Sequence, residues 1–493
     1  MTEKNVVIIG AGPAGLTAAY ELLNHNVPAT VVEADNVVGG LARTVSYKGY
    51  LFDIGGHRFF TKWDEVDRLW REILGQALLT RERLSRIYYR NRFFSYPLKP
   101  LNALSGLGLY ESLRILLSYM RAQVEPYPEE DNFKQWVSNR FGRRLYQIFF
   151  RAYTEKVWGV PCTQIGAEWA AQRIKSLSLG AALRNAFFGG QNTRIKTLIH
   201  QFHYPLRGPG QMWETLADRL VENGCPVRLN SRVSRICHRN GRATHLIVKT
   251  SGGEEKLPGA DFISSMPMRE LIEALDPAPP AEVRHAATSL HYRDFLIVSL
   301  IIKRKHVMSD NWIYIHESSV RVGRIQNFKN WSPAMVPDPE KTCLGMEYFV
   351  SENDSIWNRT DDALVEMAKE ELVYLGLARR DEVEDGTVVR MLKAYPVYDN
   401  GWADSVHTIR TYLEKHLSNL QLVGRNGMHK YNNQDHSMIT ALYAARNILG
   451  GNYDLWAVNT EPEYHEQKIE TDNVGVRQQN TPFESYLSRT SVR

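Results

Sequence analysis

Cysteine is scarce: four in 493 residues (Cys162, Cys225, Cys237, Cys343), with no CxxC pair and no neighbouring cluster of metal-ligand type. That excludes a disulfide scaffold and a thiolate metal site, and it fits free thiols in a reducing cytoplasm. No metal is expected. Long hydrophobic runs are missing as well. Phe295–Ile302, interrupted by Ser299, is only strand-sized, far short of the ~20 apolar residues of a membrane helix. No basic stretch leads into an apolar core at the N-terminus, so no signal peptide is expected. Repeats and low-complexity tracts are absent, which excludes solenoid and fibrous architectures. Neither sign of charge dominates: the net charge of +5 suits an anionic small molecule and is too dispersed for nucleic acid.

What is present is an ordinary globular composition, 43% hydrophobic, in a chain long enough for two or three lobes. Asn5–Ile9, "NVVII", has the pattern of a short buried strand. It runs into Gly10-Ala11-Gly12-Pro13-Ala14-Gly15, and "LTAAYELL" follows as a helix. The first glycine permits the tight turn, the second lets backbone approach a pyrophosphate, and Gly15 allows close helix–strand packing. Pro13 opens the helix without losing a needed hydrogen bond. A second strand, Ala29–Val32, ends in Glu33 and Ala34, with the acid placed to hydrogen-bond a ribose hydroxyl. Strand, glycines, helix, strand and terminal acid together mark a Rossmann-type dinucleotide site.

Two further glycine pairs follow. Gly39-Gly40-Leu41-Ala42-Arg43 resembles the "GG…R" element of the FAD-dependent amine oxidase and UDP-galactopyranose mutase superfamily, which implies non-covalent FAD with Arg43 neutralising its diphosphate. In "YLFDIGGHRFF", Gly55 and Gly56 correspond to the segment that passes beside the flavin ring in that superfamily, with His57 facing it. The order helix (Gln211–Glu222), two strands (Val227–Ile236 and Thr244–Lys249) and "ADFISSMP" (260–267) resembles the return of such chains to their FAD domain, with the backbone of Val233 beside the adenine.

The fold class expected is therefore α/β: a Rossmann-type FAD domain, discontinuous over 1–96, 205–285 and 396–450. A helical insertion (97–204), an antiparallel-sheet substrate domain (286–395) and a polar tail (451–493) complete it. Within the insertion, Leu101–Met120 is hydrophobic but carries Glu111 and Arg114 at helical spacing, so it reads as one amphipathic helix suited to peripheral membrane contact. Homo-oligomers are compatible with this organisation.

The C-terminal block makes the resemblance sharper. "LVGRNGMHKYNNQDHSMITALYAARNI" (422–448) contains Asn433-Gln434-Asp435-His436-Ser437, which is similar to the "NQDHS" that closes the flavin site of eukaryotic-type UDP-galactopyranose mutases. Gly424 and Arg425 precede it. Three fragments match in chain order: "KVWG.P" with "EWAAQRI" supplies Trp158 and Arg173, "GRIQNFKNWSP" supplies Arg324, and "AYP" supplies Tyr395. The resemblance implies that Arg324 and Arg173 grip a substrate diphosphate, that Tyr395 and Tyr431 donate to it, and that His57 serves the flavin. It implies a nucleotide-sugar or sugar-phosphate substrate of cell-surface glycan synthesis, with reduced flavin N5 as nucleophile at the anomeric carbon and NAD(P)H as a candidate reductant. "YPLKP" departs from the family pattern: beside Tyr96 it places Lys99 and Pro100 where the mutases have glutamine and asparagine near the base. Spacing around Tyr431 is also shorter. Sugar and base therefore stay open. The alternative is an oxidase or desaturase of the amine oxidase or protoporphyrinogen oxidase type, which shares the glycine motifs but needs no diphosphate-binding arginines.

Overall fold

The computed structural model describes residues 5–96, 98, 100–167, 201–399 and 401–460. Val6–Ile9 is buried throughout and pairs in parallel with Ala29–Val32 on one side and Asp261–Ser264 on the other. Leu420–Leu422 and Val227–Arg228 complete a five-stranded parallel sheet. The helix Pro13–Asn24 packs against Gln434–Ile448 and Gly210–Glu222, so one layer draws on the start, middle and end of the chain. Burial on both faces explains the unbroken apolar strand at 6–9.

A seven-stranded sheet forms the second large layer. Its order is Val383–Pro396, Tyr292–Ile302, Thr342–Val350, Arg324–Asn327, Trp312–Ile315, Ser85–Tyr89, Arg92–Ser95. Alternate residues of Tyr292–Ile302 point to opposite sides. Leu296, Val298, Leu300 and Ile302 join a core with the helix Asp361–Tyr374, whereas Phe295, Ile297 and Ile301 join one with Phe52, Tyr204 and Trp331. Because both faces are covered, "DFLIVSLII" reads as one apolar run rather than an alternation.

Three expectations change. The hairpin 85–95, expected in the dinucleotide-binding lobe, extends the large sheet instead: Ser85–Tyr88 pairs in parallel with Trp312–Ile315, so this sheet is mixed rather than antiparallel throughout. Leu101–Met120 is not one helix. Pro100–Leu107 and Leu109–Val124 are separated by Gly108, whose φ of 84° only glycine adopts without strain. The stretch 227–236, expected as one strand, splits at Asn230 (φ 50°) between two sheets. Most of the tail, from 461 on, lies outside the described residues, as do Lys99 and Arg173.

The joint between the layers is polar and buried. Asp53, 1% exposed, ends the strand Tyr50–Asp53; Tyr204 donates to it at 2.5 Å and Thr44 at 3.0 Å, while Thr44 accepts from Gly210 N at 3.0 Å. Burial pushes the Asp53 carboxyl up to about 7, against the opposing pull of these donors. This knot ties the second glycine turn to the segment 205–210. Replacing Asp53 with leucine strands two buried hydroxyls and should lower unfolding free energy by about 2–4 kcal/mol. Urea unfolding checks this, and a loss under about 0.5 kcal/mol contradicts it.

Candidate functional site

The first glycine turn joins strand to helix so closely that a Cβ on Gly15 would lie 1.8 Å from Gly10 O. Gly12 is the N-cap of Pro13–Asn24 and offers no side-chain cap. The first amides of that helix are thus the donor set that an anionic group takes. A Cβ on Gly12 would meet Gly40 Cα at only 3.8 Å, an ordinary contact, so the first two glycine turns face one another across a narrow gap. Glu33 accepts from Ala11 N at 2.7 Å and Asp35 N at 2.9 Å, which ties the loop after the second strand, with exposed Ala34, to the first turn. Val233 follows a loop held to the same region through Ser231 N to Glu33 O at 2.7 Å. Leu41 and buried Ala42 form the short helical turn after Gly40. Arg43 reaches this edge but is ion-paired with Asp35, so any diphosphate there shares its charge. These residues fit a flavin dinucleotide.

The third glycine segment lies against the large sheet. Gly55 has φ 101°, and a Cβ there would sit 3.8 Å from Arg324 Nη2, His57 Cε1 and Phe295 Cζ. A Cβ on Gly56 would come within 2.9 Å of Gln326 Nε2. The sheet face below follows from register: Tyr314, Arg324 and Glu347 sit opposite one another on three adjacent strands, and Trp312 and Gln326 pair in the next row. Arg324 Nε donates to Glu347 Oε2 at 2.5 Å, and Gln326 Nε2 donates to Glu347 Oε1 at 2.8 Å. Glu347 is wholly buried, and burial pushes its carboxyl up while Arg324 opposes the shift.

The C-terminal block closes the other side. Gly424 packs on the first glycine helix, where its Cβ would lie 3.1 Å from Ala14 Cβ. Arg425 donates to Asn432 O at 2.9 Å and Ala394 O at 3.0 Å, and its guanidinium lies 4.9 Å from the Tyr431 ring. Tyr431 stacks on Tyr395, centroids 5.7 Å apart. Asn433 caps the helix Gln434–Ile448 in a reciprocal box with His436, Gln434 accepts from Trp213 Nε1 at 3.1 Å, and Ser437 is buried in the first turn. "NQDHS" is therefore a helix start turned toward the first glycine helix. Burial pushes Asp435 up to about 7, with hydrogen bonds from the His436 backbone and Thr61 opposing.

Of the expected site residues, the structure brings together His57, Arg324, Tyr395, Tyr431 and Arg425. Tyr96 stands at their edge, its ring 4.7 Å from Tyr314. Trp158 ends the helix Ala152–Trp158 and is buried in the cluster that holds Phe133 and Trp136, against which Tyr314 packs. Sequence reading missed Arg58, Arg83, Trp312, Tyr314 and Glu347. Arg58 and Arg83 lie 5.6 and 5.5 Å from the Trp312 ring. The signal was the alternation of "WIYI" against "RIQN", which puts Trp312, Tyr314, Arg324 and Gln326 on one face, although only the register could join them.

Burial, then the cations of Arg425 and Arg324, push the His57 imidazole down to about 3, and its enclosed Nδ1 has no hydrogen-bond partner among the described residues. The ring is therefore neutral near pH 7. Its folded value lies below the ordinary 6.5, so its contribution to stability is intact above that pH and lost as pH falls toward 3. NMR titration of labelled histidine should show a flat His57 signal between about pH 8 and 5, and a midpoint near 6.5 contradicts the burial argument. For the glycine gap, Gly12→Val should fold with a near-parental melting temperature yet bind flavin at least about a hundredfold more weakly, since its Cβ meets only ordinary contact in the protein. Full yellow colour after dialysis would contradict the placement.

Comparison with known proteins agrees with this geometry. Residues 13–448 match the model of the flavin containing amine oxidoreductase family. An L-amino acid oxidase, bordonein-L from Crotalus durissus terrificus, is 28% identical over 330 residues, 61% of this chain and 58% of that protein. The chain thus spans under two thirds of the length of such relatives. Coproporphyrinogen III oxidase of Mycobacterium leprae (strain TN) is 24% identical over 439 residues, 84% of this chain and 92% of that protein. Among solved structures, reduced UDP-galactopyranose mutase superposes with a TM-score of 0.81 at 23% identity, covering 93% of this chain and 98% of the other. That likeness establishes the shared fold, a Rossmann-type flavin domain with a sheet-based substrate domain. With the family model running from the first glycine helix to the end of the "NQDHS" helix, the chain belongs to the flavin-containing amine oxidoreductase family.

Proposed function

We propose that this flavin-dependent enzyme is a sugar-nucleotide mutase, acting on a nucleoside-diphosphate sugar or related sugar phosphate. The observation that carries the reading is charge balance. Arg324 and Arg425 both act on His57, and Arg58 and Arg83 lie by Trp312 in the adjoining row, with Glu347 as the buried carboxylate paired to Arg324. An amino acid offers one carboxylate and is satisfied by one guanidinium; a dianionic diphosphate calls for several. Bound reduced flavin supplies the nucleophile for the anomeric carbon, with NAD(P)H as candidate reductant.

The residues take the following roles. Arg324 presents the guanidinium edge not held by Glu347 to a phosphate oxygen. Tyr395, whose phenol burial and Tyr431 push upward, stays protonated and donates a hydrogen bond; Tyr431 stacks beside it. Neutral His57 serves the space beside Gly55 without adding charge where the sugar must enter. Tyr96, Tyr314 and Trp312 offer aromatic faces to the base. Arg173 and Trp158 are assigned to substrate from the sequence match alone, Lys99 from its position beside Tyr96 where the mutases have another residue, and the cytoplasm is the proposed location. A second reading, an oxidase, is favoured by the oxidases among the sequence relatives.

Anaerobic incubation of the dithionite-reduced protein with a panel of nucleoside-diphosphate sugars, followed by chromatography, separates the two. A mutase yields an isomer without consuming reductant, whereas steady peroxide formation with an amino acid or porphyrinogen supports the oxidase. Each charge-assisted contact contributes about 1.5–3 kcal/mol, so Arg324→Ala should weaken binding of the responding sugar nucleotide roughly ten- to a hundredfold. Arg324→Lys should recover part of it, since ammonium keeps charge but not the fork. Glu347→Gln, which leaves Arg324 its whole charge, should bind at least as tightly as the parent. Parental affinity in Arg324→Ala would move the diphosphate elsewhere.

A further inference from the structure

The helix Leu109–Val124 presents a surface that the flavin site does not explain. Leu109, Tyr110, Leu113, Leu117, Met120 and Val124 are 53–89% exposed and recur every three or four residues, forming one apolar stripe along the outer face. Elsewhere among the described residues, large exposed apolar side chains are scattered rather than aligned on one helix face. The inner face is firmly held. Ile115 and Ala122 are buried, Arg144 N donates to Ser118 Oγ at 3.0 Å, and a Cβ on Gly142 would lie 2.8 Å from Tyr119 N. The stripe is therefore a fixed surface, not a frayed end.

Charge is one-sided along the helix, with Glu125, Glu129, Glu130 and Asp131 following only past its C-terminal end. Glu111 is the one acid in the sequence between Leu84 and Val124, and it is buried against Arg144. Arg114, which also reaches Glu111 at 3.8 Å, and Arg121 flank the stripe. Arg92 sits at its start, donating to Gly106 O at 2.6 Å. Arg121 pairs with Glu125 only where the helix ends. We infer that this helix docks on an anionic lipid bilayer, apolar stripe in the interface and arginines among the headgroups.

Charge argues against a second copy as the occupant: two copies meeting on this 16-residue helix would bring the arginines that flank each stripe against one another. An interfacial helix needs no more than its stripe. The helix is also close to the substrate face: Pro100–Leu107 packs on Phe94 of the strand Arg92–Ser95, and Tyr96 follows that strand. Docking would hold this edge of the site at the membrane surface. The inference stands whatever the substrate.

The test is sedimentation of the full-length flavoprotein with vesicles of phosphatidylcholine alone or mixed with phosphatidylglycerol. Binding should rise with phosphatidylglycerol and fall at high salt. The double variant L113S/L117S should partition at least about tenfold more weakly, with unchanged flavin content and melting temperature. The charge reversals Arg114→Glu and Arg121→Glu should each cost about fivefold or more on anionic vesicles. Failure to sediment with anionic vesicles, or equal binding by L113S/L117S, overturns the proposal. A parental dimer seen by light scattering that L113S/L117S converts to monomer would assign the stripe to a second copy instead.

Discussion

The closeness of the backbone at Gly55 and Gly56 to the seven-stranded sheet is the constraint on which the site depends. A Cβ on Gly56 would come within 2.9 Å of Gln326 Nε2 and Gly55 holds φ 101°, so a side chain at either is strained where the chain passes over the row that contains Arg324. This approach lets one loop belong to the dinucleotide layer and also roof the polar face of the other. The buried Asp53 knot just before it fixes the entry, and the stacked Tyr395–Tyr431 pair closes the opposite side.

Electrostatics follows from that enclosure. A cluster of guanidiniums in a half-buried cleft is costly unless countercharge arrives. Glu347 supplies part of it, bracing Arg324 and Gln326 at once, and His57 avoids adding more by remaining neutral. On the proposed reading, a substrate dianion meets the guanidiniums of Arg324 and Arg425 here. The arrangement of side chains on the sheet face therefore bears on activity more than fold similarity does.

Local chemistry made much of this legible. The strand–glycine–helix start, the second and third glycine pairs and the "NQDHS" helix start lie where the sequence placed them, because each is a short-range turn or cap that its own residues dictate. Properties set by register were hidden. Nothing near residue 324 announces Glu347, and nothing near 58 announces Arg83 across Trp312; strand pairing over long separations creates both. For the same reason the 85–95 hairpin joins a layer that its sequence does not announce: its own alternation says where its faces point but not which sheet it joins. Arg43 looked available for a diphosphate until folding placed Asp35 beside it.

The central claim is that this face holds a diphosphate while the bond from anomeric carbon to phosphate oxygen breaks and re-forms. Positional isotope exchange reports that event directly. A nucleoside-diphosphate sugar labelled with heavy oxygen at the anomeric bridge is incubated anaerobically with the enzyme and followed by phosphorus NMR. Scrambling of the label into non-bridging positions with reduced but not oxidised protein, without net consumption of reductant, is the predicted result. A label that stays in the bridge for every sugar nucleotide, together with sustained oxygen consumption on an amine or porphyrinogen substrate, would contradict the account.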